Sequence, residues 1–264
     1  MAHSVEIPQD IIDNVIAALG NDKRSLKQCA LVSSSFLLPS RKQLFYSIRF
    51  GFNDEGCQRL HQFLVQNPVI RSFVRRLHVY RGWRSKLTFD KSLPAFLQLS
   101  FCHLEEFFFS YLETVNWSDF SGELKDALSI LMHSPSLKIL SVHTIHNVPI
   151  TLFLGIAHLT KLHLRSVSLK DALSTLIHSP TLKILSLENI DNVPITLFLG
   201  TVHLTELHLS SVSLNYSDGE QPSSLASKGV ATTTSHTVID QCVWSFGWRA
   251  HGRRFPKYAY FISH

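Results

Sequence analysis

Hydrophobic positions recur at a fixed spacing in the second half of the chain. Residues 125–169 and 170–214 align without a gap at a period of 45, and about three quarters of the aligned positions are identical. A fixed period of this size is typical of repeat architectures. We therefore interpret the two segments as a tandem duplication of one structural unit.

Each copy contains two leucine motifs. The pattern L-x-x-L-x-L, or L-x-x-L-x-V, begins at Leu137, Leu159, Leu182 and Leu204, in steps of 22, 23 and 22 residues. The alternation inside each motif predicts a short strand with one buried face. Helical spacing of apolar residues over 170–178 predicts a helix between two of these strands. Weaker versions of the strand pattern end at Phe109 and Val79.

These motifs resemble leucine-rich repeats, whose period is about 20–29 residues. The resemblance is specific for about 137–214, and it implies a short solenoid with a parallel sheet. One feature departs from the family. The asparagine of the repeat's turn is replaced by Ile145, Val167, Ile190 and Val212, so we expect apolar stacking to hold the turn instead of an asparagine ladder.

The first fifty residues follow another pattern. Apolar residues from Ile11 to Leu19 at helical spacing, with Pro8 before them and Gly20 after them, predict an amphipathic helix. Two further helices are predicted at about 26–32 and 40–48. Three short helices bury little area by themselves. We therefore expect this segment to pack against a partner surface.

This segment resembles an F-box over about residues 7–50. The match is carried, in order and spacing, by Ile7-Pro8, Asp10-Ile11, Ile16, Leu19, Leu26, Cys29 to Ser33, Phe36, Arg41, Leu44-Phe45 and Ile48. Ile7, Asp10 and Phe36 replace the family's Leu, Glu and Trp, and Ser34 stands where a basic residue is common. The alternative interpretation of 7–50 is an ordinary helical cap on the repeats.

In the F-box family this segment docks on a Skp-type adaptor, the adaptor sits on a cullin–RING scaffold, and the repeats hold the target protein. The resemblance therefore implies a substrate-receptor subunit of a Skp–cullin–F-box ubiquitin ligase, which is not itself an enzyme. The alternative is a leucine-rich-repeat interaction scaffold outside any ligase. The residues expected to contact the adaptor are Ile7, Pro8, Ile11, Ile12, Leu31, Val32, Phe36, Leu44 and Phe45.

Strand alternation also predicts a surface for the target protein. The residues between the buried positions face away from the core and form columns across the parallel strands. Such repeat faces are common binding surfaces, although a merely solvated face is the alternative. The expected target-binding residues are Tyr80, Phe108, His143, His163, Arg165, Glu188 and His208, and we expect Arg165 and Glu188 to be neighbours.

The fold class expected from these patterns is an α/β (α+β) repeat, with a three-helix F-box followed by a leucine-rich-repeat solenoid. The expected organisation is an F-box-like domain over 1–50, a connecting helix or linker over 51–68, repeats over 69–214, a flexible linker over 215–236 and a basic aromatic tail over 237–264. The tail is either a cap on the last strand or a foreign segment after a truncated array.

Composition and charge exclude several other classes of protein. The four cysteines form no C-x-x-C pair, and the fifteen histidines show no metal-ligand spacing, so we expect neither a metal nor a cofactor. No nucleophile or phosphate-binding motif occurs. Part of the net charge of +5 lies in two basic clusters, over 71–86 and 249–257, which we interpret as a solvated face and a basic tail. We expect neither a nucleic-acid nor a membrane partner. Without a signal peptide or an apolar run of about 18 residues, we expect a cytoplasmic or nuclear protein.

Overall fold

The computed structural model describes residues 7–51, 54–81, 92–153, 156, 158–168, 180–194, 204–215 and 242–245. The described chain belongs to the α/β class, because it contains helices and parallel strands. It divides into two compact units, Met1–Phe108 and Phe109–His264, and the division falls inside one strand, Glu106–Asn116.

The first unit begins with three helices that share a small core. They are α1 (Gln9–Leu19), α2 (Lys23–Val32) and α3 (Ser34–Phe45). Ile12, Ile16 and Leu26 are buried at the centre of this core. Helix α1 ends at Gly20, whose φ of 54° lies in the left-handed region that glycine adopts without strain. The carboxylate of Asp22 caps α2 by accepting hydrogen bonds from the backbone N–H groups of Arg24 and Ser25.

The third helix differs from the prediction at both ends. It begins at Ser34, not near Ser40, and it runs through Pro39. It ends at Phe45, and Ile48 lies in the following strand, β1 (Ser47–Gly51). A proline inside a helix is normally disfavoured. Here Phe36 on one side of Pro39 and Leu44 on the other both pack on the three-helix core, and this packing outweighs the local preference.

The remaining described elements of the first unit are α4 (Asp54–Gln66), α5 (Pro68–Arg71), β2 (Arg76–Arg81), α6 (Ser92–Leu97) and the start of β3 (Glu106–Asn116). Most of the segment expected to connect the two domains is therefore helix. Strand β1 pairs with β2 in parallel, with Ile48 opposite Leu77. The side chain of Ile48 is buried, and those of Leu77 and Val79 are fully buried. The predicted strand ending at Val79 is confirmed.

In the second unit, β3 is followed by a short 3-10 helix (Trp117–Asp119) and by α7 (Gly122–Met132). The later elements are β4 (Ile139–His146), a 3-10 helix (Ile150–Phe153), β5 (Lys161–Arg165), β6 (Ile184–Pro194), β7 (Glu206–Asn215) and β8 (Cys242–Ser245). Strands β4 to β7 pair in parallel in chain order, and β8 pairs with β7 in antiparallel fashion.

The register of these strands follows the sequence period. Leu140, Leu162, Leu185 and Leu207 lie opposite one another on successive strands, and all four are buried. The prediction of parallel strands spaced by the leucine motif is therefore confirmed. The side chains of Thr160, Thr181 and Thr205 reinforce the stacking, because each donates a hydrogen bond to a backbone carbonyl 22 residues earlier.

An apolar residue occupies the position of the family's turn asparagine in each repeat, within β4, β6 and β7 and two residues beyond β5. Ile145, Val167, Ile190 and Val212 are all buried, the most exposed of them to 8%. The residue before each has a positive φ: Thr144 63°, Ser166 50°, Asn189 52° and Ser211 51°. One left-handed residue in each repeat is thus followed by a side chain that lies in the core.

Thr144 is the least suited of these residues to its backbone conformation, because a β-branched residue rarely adopts positive φ. Asn189 fills the same position in the second copy and tolerates it well. Thr144→Asn should raise the free energy of unfolding by about 1 kcal/mol, and Asn189→Thr should lower it by a similar amount. Chemical denaturation measures both. Thr114→Asn, within strand β3, is the control and should not stabilise. A Thr144→Asn protein less stable than the wild type would contradict the assignment.

Some predictions fall outside the described residues. These are the helix over 170–178, the linker over 215–236 and the tail over 237–264 apart from Cys242–Ser245. Among the described residues, no helix has the length and hydropathy needed to span a membrane.

Candidate functional site

Several large apolar side chains are exposed on, or just before, the three helices of the first unit. Ile7, Ile11 and Val15 follow one another at intervals of four residues and are 45% to 53% exposed. Ile11 and Val15 therefore lie on one face of α1, and Ile7 lies two residues before the first residue of that helix. Leu31 and Val32, at the end of α2, are more exposed still, at 86% and 68%. We call these five residues the helical apolar surface.

The structure separates the expected adaptor-binding residues into two groups. Ile7, Pro8, Ile11, Leu31 and Val32 are exposed. The other four support the helices from within: Ile12 is only 2% exposed, Phe36 and Leu44 pack on the same core, and Phe45 stacks on Phe63 with ring centroids 5.7 Å apart.

The expectation that Ile12 contacts the adaptor directly therefore needs correction. Ile12 belongs to the core, whereas its neighbour Ile11 lies on the surface. Val15 belongs to the same exposed surface but was not among the expected adaptor-binding residues. Its position four residues after Ile11 on the same helix is the signal that would have identified it.

In the first unit, two expected target-binding residues lie on the sheet face opposite the buried Leu77 and Val79. Tyr80 is 43% exposed, and the ring of Phe108 stacks on the imidazole of His78 with centroids 5.4 Å apart. Nε2 of His78 lies 3.0 Å from Oε1 of Glu106. Burial of the imidazole lowers the pKa of His78 below its ordinary value, although the Glu106 carboxylate acts in the opposite direction.

In the second unit, the outward side chains of β4 to β7 form three rows across the sheet. We call these twelve residues the polar face: Ile139, Lys161, Ile184 and Glu206 in the first row, Ser141, His163, Ser186 and His208 in the second, and His143, Arg165, Glu188 and Ser210 in the third. The structure thus brings together five of the expected target-binding residues: His143, His163, Arg165, Glu188 and His208.

Polar side chains of the polar face contact one another along and across strands. Nε of Arg165 lies 3.3 Å from Oε1 of Glu188, and Nε2 of His208 lies 3.2 Å from Oε2 of Glu206. Burial, with the nearby charges of Arg165 and His163, lowers the pKa of His143 to about 4. The His143 imidazole is therefore neutral at pH 7, and the positive charge in its row comes from Arg165.

The expectation that Arg165 and Glu188 are neighbours is confirmed. Because both side chains are partly exposed, a double-mutant cycle with Arg165→Ala and Glu188→Ala should give a coupling energy of only about 0.2–1 kcal/mol, falling as salt rises. Denaturant unfolding of the four proteins measures it. The cycle Lys161→Ala with Glu206→Ala is the control and should give no coupling, because these residues are two strands apart. Equal coupling in both cycles would contradict the register.

Among the described residues, no three His, Cys, Asp or Glu side chains converge in a way that could hold a metal ion. The candidate sites among the described residues are therefore two surfaces. The one on the three helices is apolar, and the one on the sheet is polar and charged.

Comparison of the sequence with protein-family models finds no match, and a search of curated proteins finds no similar sequence. The F-box and leucine-rich-repeat interpretations therefore depend on the residues and contacts described above.

Proposed function

We propose that this protein is a substrate-receptor subunit of a Skp–cullin–F-box ubiquitin ligase. In this proposal the three helices are an F-box that binds a Skp-type adaptor, and the adaptor links the chain to a cullin. The parallel strands belong to a leucine-rich-repeat solenoid whose polar face binds a target protein. The subunit itself catalyses no reaction, because the scaffold supplies the ligase chemistry.

The observation that carries the proposal is the helical apolar surface. A three-helix segment has a core of its own in Ile12, Ile16 and Leu26, yet it leaves Leu31 86% exposed and Val32 68% exposed. Leu31 and Val32 are consecutive in the chain, and large apolar groups exposed next to each other mark interaction surfaces in soluble proteins. The residues Leu31 and Val32 lie inside the stretch that resembles the F-box pattern, and Ile7-Pro8 and Ile11 lie at its start.

The second unit supports the other half of the proposal. Its parallel strands are 22 or 23 residues apart, which falls within the period of about 20–29 residues of leucine-rich repeats. Apolar side chains replace the family's asparagine in the turn, and they are buried in all four turns. Proteins of this kind bind partners through the exposed face of their strands.

Reconstitution from purified components tests the proposal. The full chain, a Skp-type adaptor and a cullin are mixed and separated by size-exclusion chromatography. We expect one complex that contains all three proteins, and we expect the cullin to be absent from it when the adaptor is left out. If the chain elutes alone in the presence of both partners, the proposal fails, and the interaction scaffold outside any ligase becomes the better account.

A further inference from the structure

The two copies of the duplicated segment differ in a way that the shared fold does not require. They differ at eleven of their 45 aligned positions. Four of these differences change charge, and in each the second copy has the less positive residue. The pairs are His143 and Glu188, His146 and Asp191, Lys161 and Glu206, and Arg165 and Ser210.

Three of these four pairs lie on the polar face. In contrast, the inward positions of the same strands are almost unchanged. Their one difference is Val142 in the first copy and Leu187 in the second, both of them buried. On these strands the duplication has therefore kept the inward side chains and altered the charge of the outward ones.

The result is a face with a basic side and an acidic side. Lys161 and Arg165 lie on β5, whereas Glu188 lies on β6 and Glu206 on β7. Neighbouring strands are about 4.8 Å apart, so Lys161 and Glu206, in the same row, are separated by about 10 Å. At that distance the two charges do not form an ion pair. Arg165 and Glu188 mark the boundary, where the two sides meet in a 3.3 Å contact.

We propose that the polar face binds a target segment whose own charges are segregated, with acidic side chains over β5 and basic side chains over β6 and β7. Complementary potentials of this kind steer encounter and fix the register of a complex. An extended chain rises about 3.3 Å per residue, so about three residues cover the distance from Lys161 to Glu206. A segment with charges of one sign only would be repelled by the side of the polar face that carries the same sign. The assignment of the target to this face rests on the proposed function.

Labelled peptides of defined charge order test this inference by fluorescence polarisation at low salt. The block peptide has two glutamates, one glycine and two lysines, so that the centres of its charged blocks are three residues apart. A second peptide has the same composition with alternating charges, and a third has glutamates in place of the lysines. We expect the full-length protein to bind the block peptide about tenfold more tightly than the alternating peptide.

The chain itself supplies the matched variant. Glu188→His, Glu206→Lys and Ser210→Arg together give the second copy the residues of the first, which already occupy equivalent strand positions. This variant should keep the fold, lose the preference for the block peptide and bind the all-glutamate peptide about tenfold more tightly than the wild type does. The control, Glu55→Lys with Glu113→Lys, adds the same net charge at exposed positions outside the polar face and should keep the preference for the block peptide.

Three results would overturn the inference. The first is equal affinity for the block and alternating peptides, or no binding of either peptide at millimolar concentration. The second is an unchanged preference in the variant. The third is a salt-sensitive dimer of the wild type, seen by light scattering and absent in the variant, because the occupant would then be a second copy of this chain. Adaptor binding is measured in the same preparations and uses other residues, so its retention or loss separates this inference from the proposed function.

Discussion

Replacing Leu31 by aspartate should abolish binding of a Skp-type adaptor while the chain stays folded. Leu31 is 86% exposed, so a carboxylate at this position is fully solvated in the free protein. In a complex that covers the helical apolar surface, the same carboxylate would be buried without a partner, which costs several kcal/mol. A loss of about 4 kcal/mol lowers affinity about a thousandfold. Calorimetric titration with the adaptor measures the binding, and circular dichroism measures the fold.

Two further variants separate loss of contact from loss of structure. Ile130→Asp changes an exposed apolar residue of α7, 65% exposed and outside the three helices, and should leave adaptor binding unchanged. Ile12→Ala removes a core side chain and should lower stability by about 2–5 kcal/mol. Adaptor binding by the Leu31→Asp protein at wild-type affinity would exclude Leu31 from the interface.

The second large effect concerns the turns of the repeated strands. Ile145→Asn places the residue that leucine-rich repeats prefer at a position that is 1% exposed in this protein. Its equivalents are Ile190 on β6, also 1% exposed, and Val167, which lies two residues beyond β5 and is fully buried. An amide among these apolar side chains lacks the asparagine ladder that would satisfy it. The substitution should therefore lower the free energy of unfolding by about 3–5 kcal/mol.

Ile145→Val is the matched control and should cost only about 0.5–1.5 kcal/mol, because it removes one methyl group and adds no polar atom. Denaturant unfolding measures both variants. If the asparagine variant were as stable as the valine variant, a hydrogen-bonding partner would have to exist in the turn, and apolar stacking would not be what holds it.

The strands of the second unit could be predicted from sequence because two independent signals coincide there. The alternation of leucines defines which side chains point inward, and the repeat period defines which strands are equivalent. Together they fix the rows of the polar face, including the neighbours Arg165 and Glu188. No similar signal exists for β1, whose five residues become a strand by pairing with β2, almost thirty residues further along the chain.

Local rules also fail where tertiary packing outweighs them. Pro39 argues against a helix that starts before it, yet α3 begins at Ser34 because Phe36 reaches the three-helix core. The positive φ of Thr144 could not be predicted either, because threonine rarely adopts this conformation and therefore gives no signal for it, whereas glycine does.

The candidate surfaces were predictable only in part. Helical periodicity places Ile11 and Ile12 both near the apolar side of α1, and it does not determine which of them faces inward. That choice depends on where Leu26 of α2 lies, because Ile12 and Ile16 pack around it. The charge segregation of the polar face, in contrast, can be derived from the sequence alone. It becomes visible only when the two copies are compared at positions known to share one face.

The most direct test of the central claim is a calorimetric titration of the intact wild-type chain with a purified Skp-type adaptor, after circular dichroism has established that the chain is folded. The account predicts saturable binding with a Kd in the micromolar range or tighter, because the helical apolar surface is available for burial. A folded chain that gives no binding heat at tens of micromolar, with no complex in a parallel size-exclusion run, would contradict it.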